Sequence, residues 1–317
     1  MKRWLAASLM ALSALPAAAE APPDALQWLH RITESAQRLT YTGTFIYQSG
    51  AKTEVSRITH VVEAGDELER LEVLDGSPRE VLRHNDEVKC ILPESHLVIV
   101  ERRSSNRQAF PALLPASLAG LTEHYTIRKG ATARVAGFDS QSILLEPKDG
   151  LRFGHQFWID ARSGLLLKAV VMDENGQMLE TFAFTELRIG GPVDRNALKS
   201  HLDLAGGEWK IVDVRTTRAD DNQWQLRTPL PGFRKVMGMR RQVRSDMPEM
   251  THLVFSDGLA AVSVFIEPLA GSKPETGPFT LGTINIYKRI VGDSLLVVMG
   301  DLPPASLKRL ADGMEHK

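Results

Sequence analysis

The chain has 317 residues, 43% hydrophobic and 24% charged, enough apolar material for one large globular domain or two of ordinary size. Its 38 basic residues nearly balance 39 acidic ones, so no basic field covers the surface and nucleic-acid binding is not expected. Cys90 is the only cysteine, which excludes an intramolecular disulfide; in Glu87-Val-Lys-Cys-Ile-Leu92 it reads as a small buried hydrophobe.

The N-terminus reads as an export signal. Lys2 and Arg3 precede an apolar run from Leu5 to Leu15, and Pro16-Ala17-Ala18-Ala19 supplies small residues for cleavage after Ala19 or Ala21. The run is far shorter than the roughly 20 residues that span a bilayer. No cysteine sits at the cleavage site, which argues against a lipoprotein. Cleavage after Ala19 removes two basic residues and no acidic one, leaving 36 against 39, and the mature chain is expected to be soluble and exported.

After Pro22-Pro23 and the N-cap Asp24, the residues Ala25, Trp28, Leu29, Ile32, Ala36 and Leu39 recur at three- and four-residue spacing, which predicts an amphipathic helix. From Tyr41 the period becomes two. Strands are predicted at 41–48, 52–63, 67–74, 79–84, 87–92 and 96–101, separated by turn residues such as Ser49-Gly50 and Asp75-Gly76-Ser77-Pro78. The segment from Arg102 to Pro115, with Phe110, Leu113 and Leu114 between prolines, interrupts the pattern. It is either a binding loop or a connector plugging the end of the sheet, and a short helix could follow at 116–121. Strands resume at 124–129, 132–136 and 140–147. A meander then runs from Arg152 to Leu187 around Ser163-Gly164 and Asn175-Gly176, the latter a type I′ hairpin signal. Roughly eleven or twelve strands in one antiparallel sheet should curl or partly close.

Gly190-Gly191-Pro192 ends this pattern, and a short helix is predicted over 194–203. The expected organisation is a signal peptide at 1–21 (or 1–19), a first domain at 22–203, a linker at 204–222 and a smaller α+β domain at 223–317. That last domain combines strands with a C-terminal helix bearing Leu307, Leu310, Ala311 and Met314.

Few residues suggest chemistry. Gly292-Asp293-Ser294-Leu295 spells the GDSL esterase motif, but it lies between two strand-like runs, where Gly-Asp is hairpin chemistry, and His316 follows Asp312 at the wrong spacing. The nine histidines show no metal-ligand spacing, and the acidic pairs lie in turns. No metal, cofactor or enzymatic activity is expected. Arg234, Lys235, Arg240, Arg241 and Arg244 form the densest basic run, fit for an acidic peptide or lipid phosphates, or else a solvated strand face.

The meander Phe157-Trp-Ile-Asp160, Ser163-Gly-Leu165, Asp173-Glu-Asn-Gly176 and Phe182-x-Phe184-Thr-Glu-Leu187 resembles the RseB/MucB family of periplasmic regulators, and Pro229-Leu-Pro-Gly-Phe233 is similar to that family's second domain. The resemblance covers essentially the whole mature chain. It implies a mainly β, α+β protein: a LolA/LolB-like unclosed antiparallel β-barrel with helices on its concave face, plus a smaller C-terminal α+β domain. It also implies a periplasmic negative regulator of an envelope-stress sigma factor, of the type governing alginate biosynthesis. Such a regulator binds the periplasmic domain of a membrane anti-sigma factor (MucA/RseA type), shields it from site-1 protease and is released by an acyl lipid or lipopolysaccharide. Self-association into a homo-oligomer is implied as well. The alternative is a periplasmic lipid or lipoprotein carrier of the LolA type.

On that reading the candidate lipid cavity comprises Phe110, Leu113, Leu114, Phe153, Phe157, Leu165, Leu167 and Val171; the rival reading makes these a filled core. Parity puts Leu165, Leu167, Ala169 and Val171 on one side of their strand. It fails for 177–187, where Phe182 and Phe184 share a side with Glu180 and Glu186.

Overall fold

A computed structural model describes residues 23–102, 114, 118, 120–204, 206, 209–218, 223–242 and 249–317. The signal segment, Phe110, Leu113 and Arg244 lie outside these. Helix α1 (Pro23–Arg38) leads into a first run of strands: β1 (Tyr41–Ser49), β2 (Lys52–Glu63), β3 (Asp66–Val73), β4 (Glu80–His84), β5 (Glu87–Leu92) and β6 (Leu97–Arg102). After α2 (Leu121–His124) come β7 (Tyr125–Val135), β8 (Phe138–Pro147), β9 (Gly154–Asp160), β10 (Leu166–Met172) and β11 (Met178–Ile189). Pairing of β1 with both β2 and β11 joins the two meanders into one antiparallel sheet. Its ends, β6 and β7, do not pair with each other, so the barrel is unclosed.

Helix α1 covers the concave side. Ala25, Leu29, Ile32 and Ala36 are fully buried, in one cluster with Tyr41, Phe45, Ile58, Phe157, Ile159, Leu165 and Phe184. The helix docks on the first turn of the central meander. Arg31 donates to the carbonyls of Ala161 and Arg162, and Ser35 Oγ donates to Ser163 O at 2.6 Å. Gly164 makes this approach possible. Its φ is 82°, and a Cβ there would lie 2.7 Å from Ser35 Oγ and 2.9 Å from Arg31 Cβ.

Two bulges resolve what parity alone does not. The register shifts between Leu166 and Lys168, so Leu166, opposite Ile159, joins the inward side with Ala169, opposite Phe157. Leu167 is buried at the shift, not in step with Ala169. A second shift, between Thr44 and Phe45, leaves Thr185 without a partner, so Phe184 pairs with Phe45 and Glu186 with Thr44. The extra residue moves Glu186 to the outer face and leaves Phe182 and Phe184 in the core. The second turn also differs from expectation. Only Gly176 of the Asn-Gly pair has positive φ, and Asp173 Oδ1 accepts from the amides of Asn175 and Gln177, which closes a longer Asx-type loop in place of a type I′ turn.

The expected helix at 194–203 is only a 3₁₀ turn, Arg195–Leu198, capped by the Asp194 carboxylate accepting from Asn196 N. The segment read as a linker contains a strand, β12 (Lys210–Arg218). Residues 210–214 pair in parallel with β6, and 215–218 pair antiparallel with β14. Beyond it lie β13 (Trp224–Leu226), β14 (Arg234–Gln242), β15 (Met250–Ser256), β16 (Ala261–Pro268), β17 (Gly277–Leu281), β18 (Ile284–Val291), β19 (Ser294–Gly300), α3 (Pro304–Gly313) and β20 (Met314–His316). The sheet β14-β15-β16-β19-β18-β17 buries Leu253, Phe255, Val262, Val264, Leu296 and Val298 against Leu307, Leu310 and Ala311 of α3.

Gly164→Ala tests the helix dock. It imposes both a strained φ and a clash with α1, and is expected to lower unfolding free energy by roughly 2 kcal/mol in urea titration. A loss below a few tenths of a kcal/mol would show that α1 shifts freely on the turn.

Candidate functional site

Of the candidate cavity residues, Leu114, Phe157 and Leu165 lie in the cluster under α1. Phe153 and Leu167 are buried outside that cluster, and Val171 is half-buried. The set is therefore not one open pocket: in this arrangement the apolar stripe of α1 fills the concave face. A groove of about 370 Å³ beside Trp28 is lined instead by Thr132, Ala133, Asp139, Ser140, Gln141 and Ala161.

The most elaborate polar constellation sits where the barrel rim meets the second sheet, and it centres on Arg152. The Arg152 side chain is completely buried. Its Nη1 donates to Asp257 Oδ2 at 2.6 Å, Nη2 donates to Pro231 O at 2.7 Å, and Nε donates to Asp149 Oδ1 at 3.1 Å. The guanidinium also lies 5.6 Å from the Tyr125 ring centroid and 5.3 Å from that of Phe233. Asp257 has no spare capacity: Oδ1 accepts from the amides of Leu259 and Ala260, and Oδ2 also accepts from the Tyr125 hydroxyl. A buried ion pair holds only when its remaining donors and acceptors are met like this. The loop Pro229-Leu-Pro-Gly-Phe233 completes the clasp. Leu230 and Phe233 are buried, and Gly232, with φ 79°, leaves no room for a Cβ, which would lie 2.1 Å from His124 Nε2. Ser306, at the start of α3, donates to Leu151 O at 2.8 Å.

Two titrating groups feel this burial. Tyr125 is pushed well above the usual phenol range, by burial first and then by the Asp257 charge. His155, between the Tyr125 and Phe157 rings, is pushed down to about 4 by burial, with Asp257 offsetting part of the effect.

A second contact lies further along the same rim. Thr283, in the β17–β18 turn, bonds Ser49 Oγ at 2.7 Å and donates to Glu180. Glu180 also bonds the Tyr47 hydroxyl, which burial and that carboxylate hold above its ordinary pKa. Thus Glu180, on the apolar side of β11, is a rim contact.

Elsewhere the buried polar groups are structural. His60 Nδ1 lies 2.8 Å from Leu39 O, which obliges it to donate, while Nε2 lies 3.2 Å from Glu67 Oε1. These two contacts tie the end of α1 to β2 and β3. Glu72, Glu80 and His201 are grouped closely enough for a cation. Arg70 Nη2 already lies 2.7 Å from Glu80, 3.2 Å from Glu72 and 3.1 Å from His201, in the place a metal would take. Ser294 opens β19 directly after the Gly292-Asp293 hairpin turn. In the basic run Arg234, Lys235 and Arg240 are exposed, with Arg240 3.9 Å from Glu249; the Arg241 side chain and Arg244 fall outside the described residues.

Sequence reasoning missed Arg152, Asp257, Tyr125 and His155. The available signal was slight, an arginine between the apolar neighbours Leu151 and Phe153.

Two family models match the chain: the MucB/RseB N-terminal domain over residues 24–202 and the MucB/RseB C-terminal domain over 218–315. The chain belongs to the MucB/RseB family. It is 32% identical to the sigma factor AlgU regulatory protein MucB of Pseudomonas aeruginosa, covering 97% of this chain and 94% of that one. It is 23% identical to the sigma-E factor regulatory protein RseB of Haemophilus influenzae, covering 99% and 98%. Among solved structures, the Pseudomonas aeruginosa MucA/MucB complex aligns at 27% identity and TM-score 0.72, over 93% of this chain and 99% of that one. A crystal structure of MucB with MucA(peri) aligns over the same shares, at 27% identity and TM-score 0.71.

Arg152→Ala strands Asp257 as a buried unpaired charge and is expected to cost about 3–5 kcal/mol, and Arg152→Ala with Asp257→Ala should lose less than the sum of the two single losses. A double-mutant cycle in urea checks both; additive losses would deny the pairing. For His155, the folded pKa near 4 lies below the unfolded value near 6.5, so between these values the unfolded chain binds the extra proton. Stability should therefore fall on acidification from about pH 6.5 to 4, by roughly 2–3 kcal/mol, and His155→Phe should flatten that limb.

Proposed function

We propose that this protein is a periplasmic negative regulator of an envelope-stress sigma factor, which binds the periplasmic domain of a membrane anti-sigma factor and shields it from site-1 protease. The observation that carries this reading is full-length membership of a family whose members are named sigma-factor regulatory proteins, with a solved relative in complex with MucA. The secretion-type N-terminus supports a periplasmic location. Among the described residues no helix is long and apolar enough to cross a membrane. The proposed role is binding: the polar groups around Arg152 and the Thr283 contact hold the barrel and the second sheet together.

Release follows from linkage between two ligands. Residues 22–203 form the lipid-sensing half-barrel and 223–317 the second domain, joined through 204–222. An acyl chain of a lipid or lipopolysaccharide takes the place of the α1 stripe on the concave face, against Phe157, Leu165 and Leu114. Because α1 docks on the turn beside β9 and β10, and β9 follows Arg152, displacing the helix disturbs the clasp that sets the domain arrangement. If peptide and lipid favour different arrangements, each weakens the other by one common factor.

Titration calorimetry of the mature protein with the anti-sigma periplasmic fragment, repeated with excess lipid A or fatty acid, tests this. Micromolar or tighter binding, weakened about tenfold or more by lipid, is expected. Unchanged affinity would leave a peptide-binding module without a lipid switch; lipid binding with no fragment binding would favour a carrier.

A further inference from the structure

The contact around Thr283 differs in kind from the clasp at Arg152. At the clasp a cation sits between two carboxylates, Asp149 and Asp257. At Thr283 two carboxylates meet from opposite sides of the junction. Glu180 comes from the barrel, where its register partner on β1 is Ser49, and it accepts from Thr283 and from the Tyr47 hydroxyl. Asp301 comes from the second sheet. It follows Gly300, which pairs with Asn285, and Asn285 Nδ2 donates to Leu302 O at 2.9 Å. Antiparallel register then sets Asp301 across from Ile284, beside Thr283. The Glu180 charge acts on Asp301, and the Asp301 charge acts on Tyr47.

No cation offsets this pair. The titratable groups at the contact are Glu180 on β11, Tyr47 on β1 and Asp301 after β19, and among the described residues neither carboxylate has a lysine, arginine or histidine as an ion-pair partner. Asp301 is open to solvent on one side, so it exchanges its proton freely. Surrounding protein strips part of its hydration and the Glu180 charge adds to the effect, so its carboxyl is pushed up to about 6. Separating the sheets takes Glu180 away and returns Asp301 toward the ordinary carboxylate range. A proton therefore binds the closed contact more tightly than the open one, and by linkage acid favours closure. His155, near the clasp, works in the opposite sense because burial disfavours its charged form.

We propose that the Thr283 contact is an acid-strengthened latch between the barrel and the second sheet, with Asp301 facing Glu180 as its sensor. When Asp301 is protonated the repulsion disappears, Glu180 keeps its bonds to Thr283 and Tyr47, and the sheets are held at two points along the rim. When Asp301 is ionised the two carboxylates oppose each other, and the sheets are held chiefly at Arg152. The proposal rests on the reading above in one respect, that peptide and lipid act through this junction. It adds proton concentration as a third input to the same equilibrium.

Because His155 and Asp301 pull global stability in opposite directions, the test reads the rim itself. Nitroxide labels are placed at Met178→Cys and Leu281→Cys in a mature chain carrying Cys90→Ser. Both positions are exposed, and they precede Glu180 and Thr283 on the two sides of the contact. Going from about pH 7.5 to about pH 5 should raise the ratio of close to separated label pairs about tenfold, as linkage requires for a carboxyl at about 6 when closed and 3.8 when open. Asp301→Asn, uncharged at both pH values, should hold the close distance throughout. Distance distributions that ignore pH in the parent would overturn the proposal, and so would an Asp301→Asn chain that still follows pH. Carboxyl-carbon NMR of the unlabelled chain gives a second readout. Asp301 should titrate near 6 and fall in Glu180→Gln, whereas titration at the ordinary 3.8 would leave no sensor. Neither measurement uses peptide or lipid, so loss of the latch leaves the binding function standing, and a fragment that fails to bind leaves the latch standing.

Discussion

The buried contact between Arg152 and Asp257 is the constraint on which the arrangement of the molecule depends. A guanidinium with no exposure must find its partners or forfeit several kcal/mol, and it finds them on three separate segments: Asp149, Asp257 and the carbonyl of Pro231. Those partners come from both sides of the junction. The ion pair contributes little net free energy over an apolar contact of equal size. It specifies instead: an arrangement that separates Arg152 from Asp257 leaves two buried charges unmet, so the two sheets have one well-defined way to sit together. The aromatic faces of Tyr125 and Phe233 and the missing Cβ of Gly232 narrow it further.

The same economy operates at the concave face. Helix α1 takes most of its stability from packing its apolar stripe, as helices in proteins generally do. Its anchors are mostly main-chain carbonyls at the Asp160–Gly164 turn, together with His60 reaching Leu39 O. The barrel and its helix are therefore held by apolar burial together with local hydrogen bonds, while barrel and second sheet are held in part by a charge pair that water cannot easily reach.

Much of this fold was legible in the residues, because strands of period two and an amphipathic helix leave plain marks. The 3.6 spacing at Ala25, Leu29, Ile32 and Ala36 located α1 and its buried stripe, and turn chemistry located the hairpins. The failures share a cause. A bulge adds one residue without changing composition, so the sides of 165–171 and 178–189 were not readable from parity; the residues at fault, Leu167 and Thr185, look like any other strand residues. The strand at 210–218 was passed over because it runs into the polar residues after Thr216 and its partners, β6 and β14, lie far away in sequence. The Arg152 constellation was invisible for the same reason: Asp257 lies 105 positions further along, and spacing carries no information about such a pair. For the candidate cavity, spacing identifies apolar side chains but not whether they enclose a space, since a core and a vacant pocket use the same side chains.

The strand that passes from one sheet to the other gives the molecule a mechanical property. Two domains joined by a slack tether diffuse independently, and force on one is lost before it reaches the other. Here a hydrogen-bonded ribbon connects them, changing partners between Val214 and Arg215 with no loop between. Reorienting one sheet against the other means winding or unwinding that ribbon, because twist is the soft coordinate of a strand and stretch is not. The junction then behaves as a torsion spring anchored at Arg152, and a pull on anything paired along the ribbon is delivered into the barrel wall as rotation.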